Sequence, residues 1–153
     1  MVINWRRVGE WSVLVFLFQW VFQRYGHLYG IAGDLIFIFL LFLSLYGKRI
    51  EILLLAFFFG LLKDFFFKGI PGTTPFAYTL VIYLSGLYSR PSFLKEKMWG
   101  RVCFLLISNL LFIIIFSFSL GSFSFGKLLI FSLYNTILSL FFFPLFSSVI
   151  KKD

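Results

Sequence analysis

Six long apolar runs, separated by short polar stretches in which basic residues gather, set the layout of this chain. The runs cover residues 8–23, 34–46, 50–67, 75–89, 102–120 and 128–150. Such runs predict membrane-crossing helices, here six in a single transmembrane domain over residues 1–153. Several are shorter than the ~20 residues a lone crossing needs. Helices packed among their neighbours tolerate this where Arg and Lys snorkel from their ends.

The placement of charge supports the count. With six crossings and a cytoplasmic amino terminus, Arg6, Arg7, Lys48, Arg49, Arg90, Lys95, Lys97, Arg101, Lys151 and Lys152 fall inside, and Arg24, Lys63, Lys68 and Lys127 fall outside. Cationic clusters at both ends of the chain then share the cytoplasmic side, as the positive-inside rule requires. The formal charge of +8 is therefore read as topogenic rather than as a nucleic-acid footprint. At 61% hydrophobic, 24% aromatic and 13% charged, the composition is that of an integral membrane protein. Arg6 and Arg7 ahead of an apolar run also fit a secretory signal. Gly30 and Ala32 make only a weak cleavage pattern, so the run is read as an uncleaved first span. The single cysteine, Cys103, excludes an intramolecular disulfide and is read as a small core residue.

Ionisable residues inside such a bundle ask for a reason. Asp34 opens the second run and Asp64 lies in the last turn of the third, both near span ends; Asp64 and Lys68 are four apart and able to pair. Gly69, Pro71 and Gly72 then make a turn, with Thr73 and Thr74 as candidate caps and Pro75 at the favoured first helical position. Phe76, Thr79, Tyr83 and Gly86 share one face of the fourth helix, a face expected to meet protein. Ser132, Asn135, Thr136 and Ser139 form a polar stripe on the last helix, with Asn109 as the expected partner of Asn135. Pro144 is expected to bend or end that helix. The loop 90–101 is basic, with Leu94, Met98 and Trp99 on one side of a short helix, and reads first as a topology anchor.

The chain holds one histidine, no Cys/His set at metal spacing, no phosphate-cradling glycine loop and no Ser/His/Asp set that would meet at one depth. No enzyme, metal site or cofactor is expected.

Three stretches in order, GDLIFIFLLFLSLYGKR, FGLLKDFFFKGIPGTTPFAYTLVIYLSGLYSR and LYNTILSLFFFPLF, resemble the bacterial rod shape-determining MreD family over residues 30–146. The shared features are an aspartate opening an early span, a Gly-x-x-x-Asp helix end, a glycine-rich turn, an aromatic helix start, a helix ending in glycine, and Tyr-Asn with a later Phe-Pro. Gly33 stands where the family usually has proline. The resemblance carries over Asp34, Asp64, Gly72, Phe76, Tyr83, Gly86, Tyr134, Asn135 and Pro144 as structural or partner-binding positions, with no catalytic role. It implies an inner-membrane, non-enzymatic scaffold of the elongation machinery. Such a scaffold binds MreC and, with RodA and a class B penicillin-binding protein, supports peptidoglycan synthesis and rod shape. It also implies an all-α six-helix bundle similar to the substrate-binding subunit of energy-coupling-factor transporters.

Two other functions fit the same layout. A vitamin-transporter subunit would dock through an Ala-x-x-x-Ala surface on its first helix, and here the first span has no alanine. A lipid-binding protein would need only an apolar groove, which leaves no sequence signature.

Overall fold

A computed structural model describes residues 2–25, 27–28, 31–67, 71–88, 98–119 and 125–151. Six α-helices run through them: α1 (Trp5–Tyr25), α2 (Leu35–Tyr46), α3 (Arg49–Phe66), α4 (Thr73–Tyr88), α5 (Met98–Ser119) and α6 (Phe125–Phe146). Two antiparallel bridges of two residues per strand complete the described structure, Val2–Ile3 with Ile150–Lys151 and His27–Leu28 with Ile31–Ala32.

Helix α2 is the centre. Its sequence is apolar all round, and every residue from Leu35 to Leu43 is at most 3% exposed; a helix without a polar face has to be covered on all sides. Asp34 caps its start by accepting from the Phe37 N–H at 3.1 Å. At 12 residues it rises about 18 Å, short of the ~30 Å apolar layer of a membrane. It is a core helix that α1, α3, α4 and α6 pack around.

The tightest seam joins α3 to α4. The buried positions of α3, Ile52, Ala56, Gly60 and Asp64, recur every fourth residue and form one narrow stripe. A β-carbon on Gly60 would stand 2.3 Å from the Pro75 Cα and 2.5 Å from its nitrogen, so the two backbones meet where α3 has no side chain. On α4 the buried set is Thr74, Pro75, Ala77, Tyr78, Val81, Ile82 and Ser85. Phe76 and Tyr83 point outward, 56% and 45% exposed.

Helices α5 and α6 pair along a polar seam. Ser132, Asn135, Thr136 and Ser139 are all buried, as are Ser108 and Asn109 opposite. The expected Asn109–Asn135 pair does not form. Asn109 Nδ2 donates to the Leu105 carbonyl at 2.9 Å and to Thr136 Oγ1 at 3.3 Å, while the Asn135 side-chain oxygen, Oδ1, accepts from the backbone N–H of Asp34 ahead of α2. Helix α6 ends two residues after Pro144, giving way to a 3-10 turn, Ser147–Val149. That turn is tied to α1: Arg7 donates to the Ser148 carbonyl at 2.6 Å and Trp11 Nε1 to Ser148 Oγ at 2.9 Å. Cys103, expected in the core, is instead exposed on α5, because the buried face of that helix passes through Phe104, Leu105 and Ser108.

Among the described residues, two helices are long and apolar enough to cross a membrane, over Trp99–Phe118 and Leu129–Val149. Helices α2 and α4, of 12 and 16 residues, are shorter, and α1 and α3 carry polar residues along their length. Residues 90–97, most of the basic loop, lie outside the described residues, and α5 already begins at Met98.

Candidate functional site: a polar cluster at the buried start of α2

Because α2 is short, its first turn opens inside the bundle, level with the middle of α6. The Asp34 N–H donates to Asn135 Oδ1 at 2.9 Å, and Asn135 stands halfway along α6. Gln19 of α1 closes the same turn from the other side, donating to the Gly33 carbonyl at 3.0 Å and accepting from the Leu35 N–H at 2.7 Å. Backbone groups ahead of a helix are unpaired by geometry, and a buried start needs side chains to satisfy them. Two amides from flanking helices do so here. Asp34 does stand at the start of the second helix, as expected, but at 2% exposed it is buried in the bundle.

The Asp34 carboxylate is met by two further helices. Lys63 of α3 forms a buried ion pair with Oδ2, its side chain 15% and that of Asp34 3% exposed. The Tyr78 hydroxyl of α4 donates to the carboxylate at 2.7 Å and accepts from Lys63 Nζ at 3.0 Å. Lys63, counted above among the outer charges, stands in the last turn of α3 with its charge part-buried against Asp34. A buried charge without a partner is costly, so these three residues act as a unit holding α2, α3 and α4 together. Phe37 stacks on Tyr78 at 5.5 Å and on Phe112 at 4.4 Å, continuing the contact into α5.

Asp64, one residue on, does different work. It is 6% exposed, and its Oδ2 accepts from the backbone N–H groups of Gly72 at 2.9 Å and Thr74 at 3.3 Å. The cap of α4 is therefore a carboxylate on the preceding helix, where favourable interaction with the positive helix end adds to the hydrogen bonds. Gly72 makes this possible with φ at +91° and nothing within 4 Å of where a β-carbon would stand. Gly72→Ala is expected to cost about 1 kcal/mol through backbone strain alone. A lowered melting temperature in detergent with normal insertion checks it.

Between these carboxylates lies a cavity of ≈ 320 Å³, lined among others by Asp34, Lys63, Asp64, Gln23 and the rings of Phe112, Phe116 and Phe131. Among the described residues there is no group of three or more His, Cys, Asp or Glu side chains placed to hold a metal ion.

Comparison with known proteins gives one decisive match: the family model described as rod shape-determining protein MreD matches residues 5–152. The chain belongs to the MreD family. No curated protein and no solved structure matches it. Membership places the chain in rod shape determination, in a family of shape-determining structural proteins.

In this MreD chain, the structure brings together four of the residues carried over from the family pattern in two pairs, Asp34 with Asn135 and, through the α4 cap, Asp64 with Gly72. Tyr134 is half-buried beside Gly33, where a β-carbon would meet its ring at 3.3 Å and Leu138 at 2.5 Å; glycine admits the chain between α6 side chains. Phe76, Tyr83 and Gly86 lie apart from the cluster, toward the outer face of α4, and Pro144 lies near the opposite end of α6. The Asp64–Lys68 pair cannot be placed, since Lys68 lies outside the described residues. Two members of the cluster, Gln19 and Tyr78, carried no sequence signal used above, and Lys63 entered only as a topogenic charge. Tyr78 sits in the i, i+3, i+4 pattern of Thr74, Ala77, Tyr78, Val81 and Ile82, which is a readable buried stripe once lipid exposure is set aside.

Proposed function

We propose that this MreD chain is a non-enzymatic scaffold in the bacterial inner membrane, crossing it six times with both termini in the cytoplasm. In this reading it binds MreC and, through it, supports the RodA and class B penicillin-binding protein complex in peptidoglycan synthesis. The same reading, through the family resemblance alone, gives the bundle the architecture of the substrate-binding subunit of energy-coupling-factor transporters. Besides family membership, the observation that carries the reading is the division of labour between two sets of residues. Gln19, Asp34, Lys63, Tyr78 and Asn135 are turned inward to brace α2, while an apolar groove of ≈ 500 Å³ between α3 and α4 opens outward, lined by Leu53, Phe57, Phe76, Thr79, Leu80 and Tyr83. An outward groove holding large rings suits a partner helix.

Arg49 extends this face. Its guanidinium lies 4.2 Å from the centre of the Tyr83 ring and donates to the Tyr83 carbonyl at 3.2 Å. A β-carbon on Gly86 would meet only Arg49 Nε, at 3.7 Å. Gly86→Leu is therefore expected to leave the bundle folded but to displace Arg49 and reshape the face, lowering MreC recovery about tenfold in detergent co-purification. Normal recovery of MreC would count against this face as the contact. Mass spectrometry of everything recovered with the tagged wild type tests the function as a whole. MreC with RodA or its transpeptidase supports the scaffold, and an ATPase pair with a coupling subunit supports transport instead. Reporter fusions at residues 26–30, 68–72, 90–97 and 120–124 test the six crossings.

A further inference from the structure

Arg49 heads the stripe of α3 that lines the outward groove. Leu53, Phe57 and Leu61 follow it at every fourth residue, with Phe76, Leu80 and Tyr83 of α4 across the groove from them. From Arg49 to Leu61 the stripe rises about 18 Å, close to the ~15 Å apolar depth of one membrane leaflet. A groove of that length with a cation at its mouth has the proportions of a phospholipid.

The guanidinium is held ready for such a contact. It lies over the Tyr83 ring, 4.2 Å from its centre, and Nη2 donates to the Tyr83 carbonyl at 3.2 Å in an exposed position, so Arg49 bridges α3 and α4 at the end of the groove. Nε is closed off beside Gly86 and takes no part. Nη1 is the free donor: among the described residues nothing accepts from it, and no carboxylate pairs with Arg49, Glu51 being 3.8 Å from Lys48. Residues 90–97, which follow α4 in sequence, add Arg90, Lys95 and Lys97 against Glu96, so including them leaves the local charge positive. An arginine fork in a positive field takes a phosphate through two parallel N–H groups.

We propose that this site binds an anionic phospholipid of the cytoplasmic leaflet, its phosphate on Arg49 Nη1 and Nη2 and one acyl chain along Leu53, Phe57 and Leu61. Two considerations make the anion a lipid rather than an acidic partner side chain. Transmembrane segments carry basic, not acidic, residues at their cytoplasmic ends, and the cytoplasmic leaflet supplies the anionic lipid itself. The leaflet follows from the topology proposed above; the binding does not depend on it. The groove takes the acyl chain when no partner helix lies along it.

The test is native mass spectrometry of the purified full-length chain from micelles doped with equal amounts of phosphatidylglycerol and phosphatidylcholine. Phosphatidylglycerol is expected to be retained about fivefold over phosphatidylcholine, the effect of one basic side chain acting on an anionic head group. Arg49→Gln should abolish that preference. Arg24→Gln removes the same charge from the last turn of α1 and should leave it intact. Leu53→Trp fills the groove one turn from the head group and should lower retention of both lipids, and it carries the test alone if Arg49→Gln does not fold. The proposal is overturned by equal retention of the two lipids, by an undiminished preference in folded Arg49→Gln, by an equal loss in Arg24→Gln, or by a chain dimer that Leu53→Trp breaks while lipid retention is unchanged. Lipid is read on the chain alone, so a negative result leaves the MreC reading standing, and MreC recovery reports on that reading separately.

Discussion

Gly60→Ala is expected to lower the melting temperature of the detergent-solubilised chain by about 6–12 °C, corresponding to about 3 kcal/mol of lost stability. The change adds a single methyl group, but that methyl falls 2.3 Å from the Pro75 Cα and 2.8 Å from its Cβ. Backbone cannot rotate out of the way as a side-chain tip can, so α3 and α4 have to separate by about 1 Å to restore ordinary van der Waals contact. The separation is felt beyond the seam. Pro75 is next to Thr74, which donates to Asp64, and three residues before Tyr78, which donates to Asp34. A helix displaced at Pro75 loosens both carboxylates at once, which is why one methyl is given an effect at the upper end for overpacking. Gly72→Ala, with open space around the new methyl, is the matched control. Equal melting temperatures for wild type and Gly60→Ala would show that the two helices have room to spare, and the close-approach argument would fall.

Lys63→Met should be as damaging, for an electrostatic reason. Asp34 would keep its cap of α2 and its bond from Tyr78 but lose the only described cation beside it, in a place where its side chain is 3% exposed. Removing one partner of a buried pair costs about 3–5 kcal/mol. Replacing both costs far less, because no uncompensated charge remains. Asp34→Asn retains an oxygen for the Phe37 N–H and for the Tyr78 hydroxyl, so the double variant Lys63→Met with Asp34→Asn is expected to recover most of the loss. The comparison of yield and melting temperature across the four proteins measures the coupling directly. Strictly additive losses would mean that the pair is not what holds these helices together.

How these residues meet was legible in parts. Charge clusters and apolar runs placed the helices with boundaries close to those observed, since a helix that must satisfy its own backbone in an apolar setting announces itself in local composition. The turn at Gly72, the end of α6 after Pro144 and the burial of Ser132, Asn135, Thr136 and Ser139 were readable for similar reasons: φ preference, a missing N–H and helical spacing are all local. Gly60 was present in the Gly-x-x-x-Asp motif and, with Ala56, makes a small-residue pattern four apart. What gave it meaning was Pro75 on the facing helix.

The inward faces of α4 and α5 were a different matter. In this bundle many large apolar side chains lie on the outer surface, so hydrophobic periodicity does not point inward; Phe76 and Tyr83 lie outside while Tyr78 is fully buried, and Cys103 is exposed. The depth of Asp34 depended on α2 being only 12 residues long and enclosed on every side, which a run of apolar residues does not reveal. Lys63 looked like one more outer charge until α2 and α4 brought Asp34 and Tyr78 to it. The family, the helices, their turns and the polar stripe of α6 could be read along the chain, because these depend on neighbouring residues. Which polar groups meet could not, because Asp34 finds Lys63, Tyr78 and Asn135 at separations of 29, 44 and 101 residues, and packing alone brings such partners to one place.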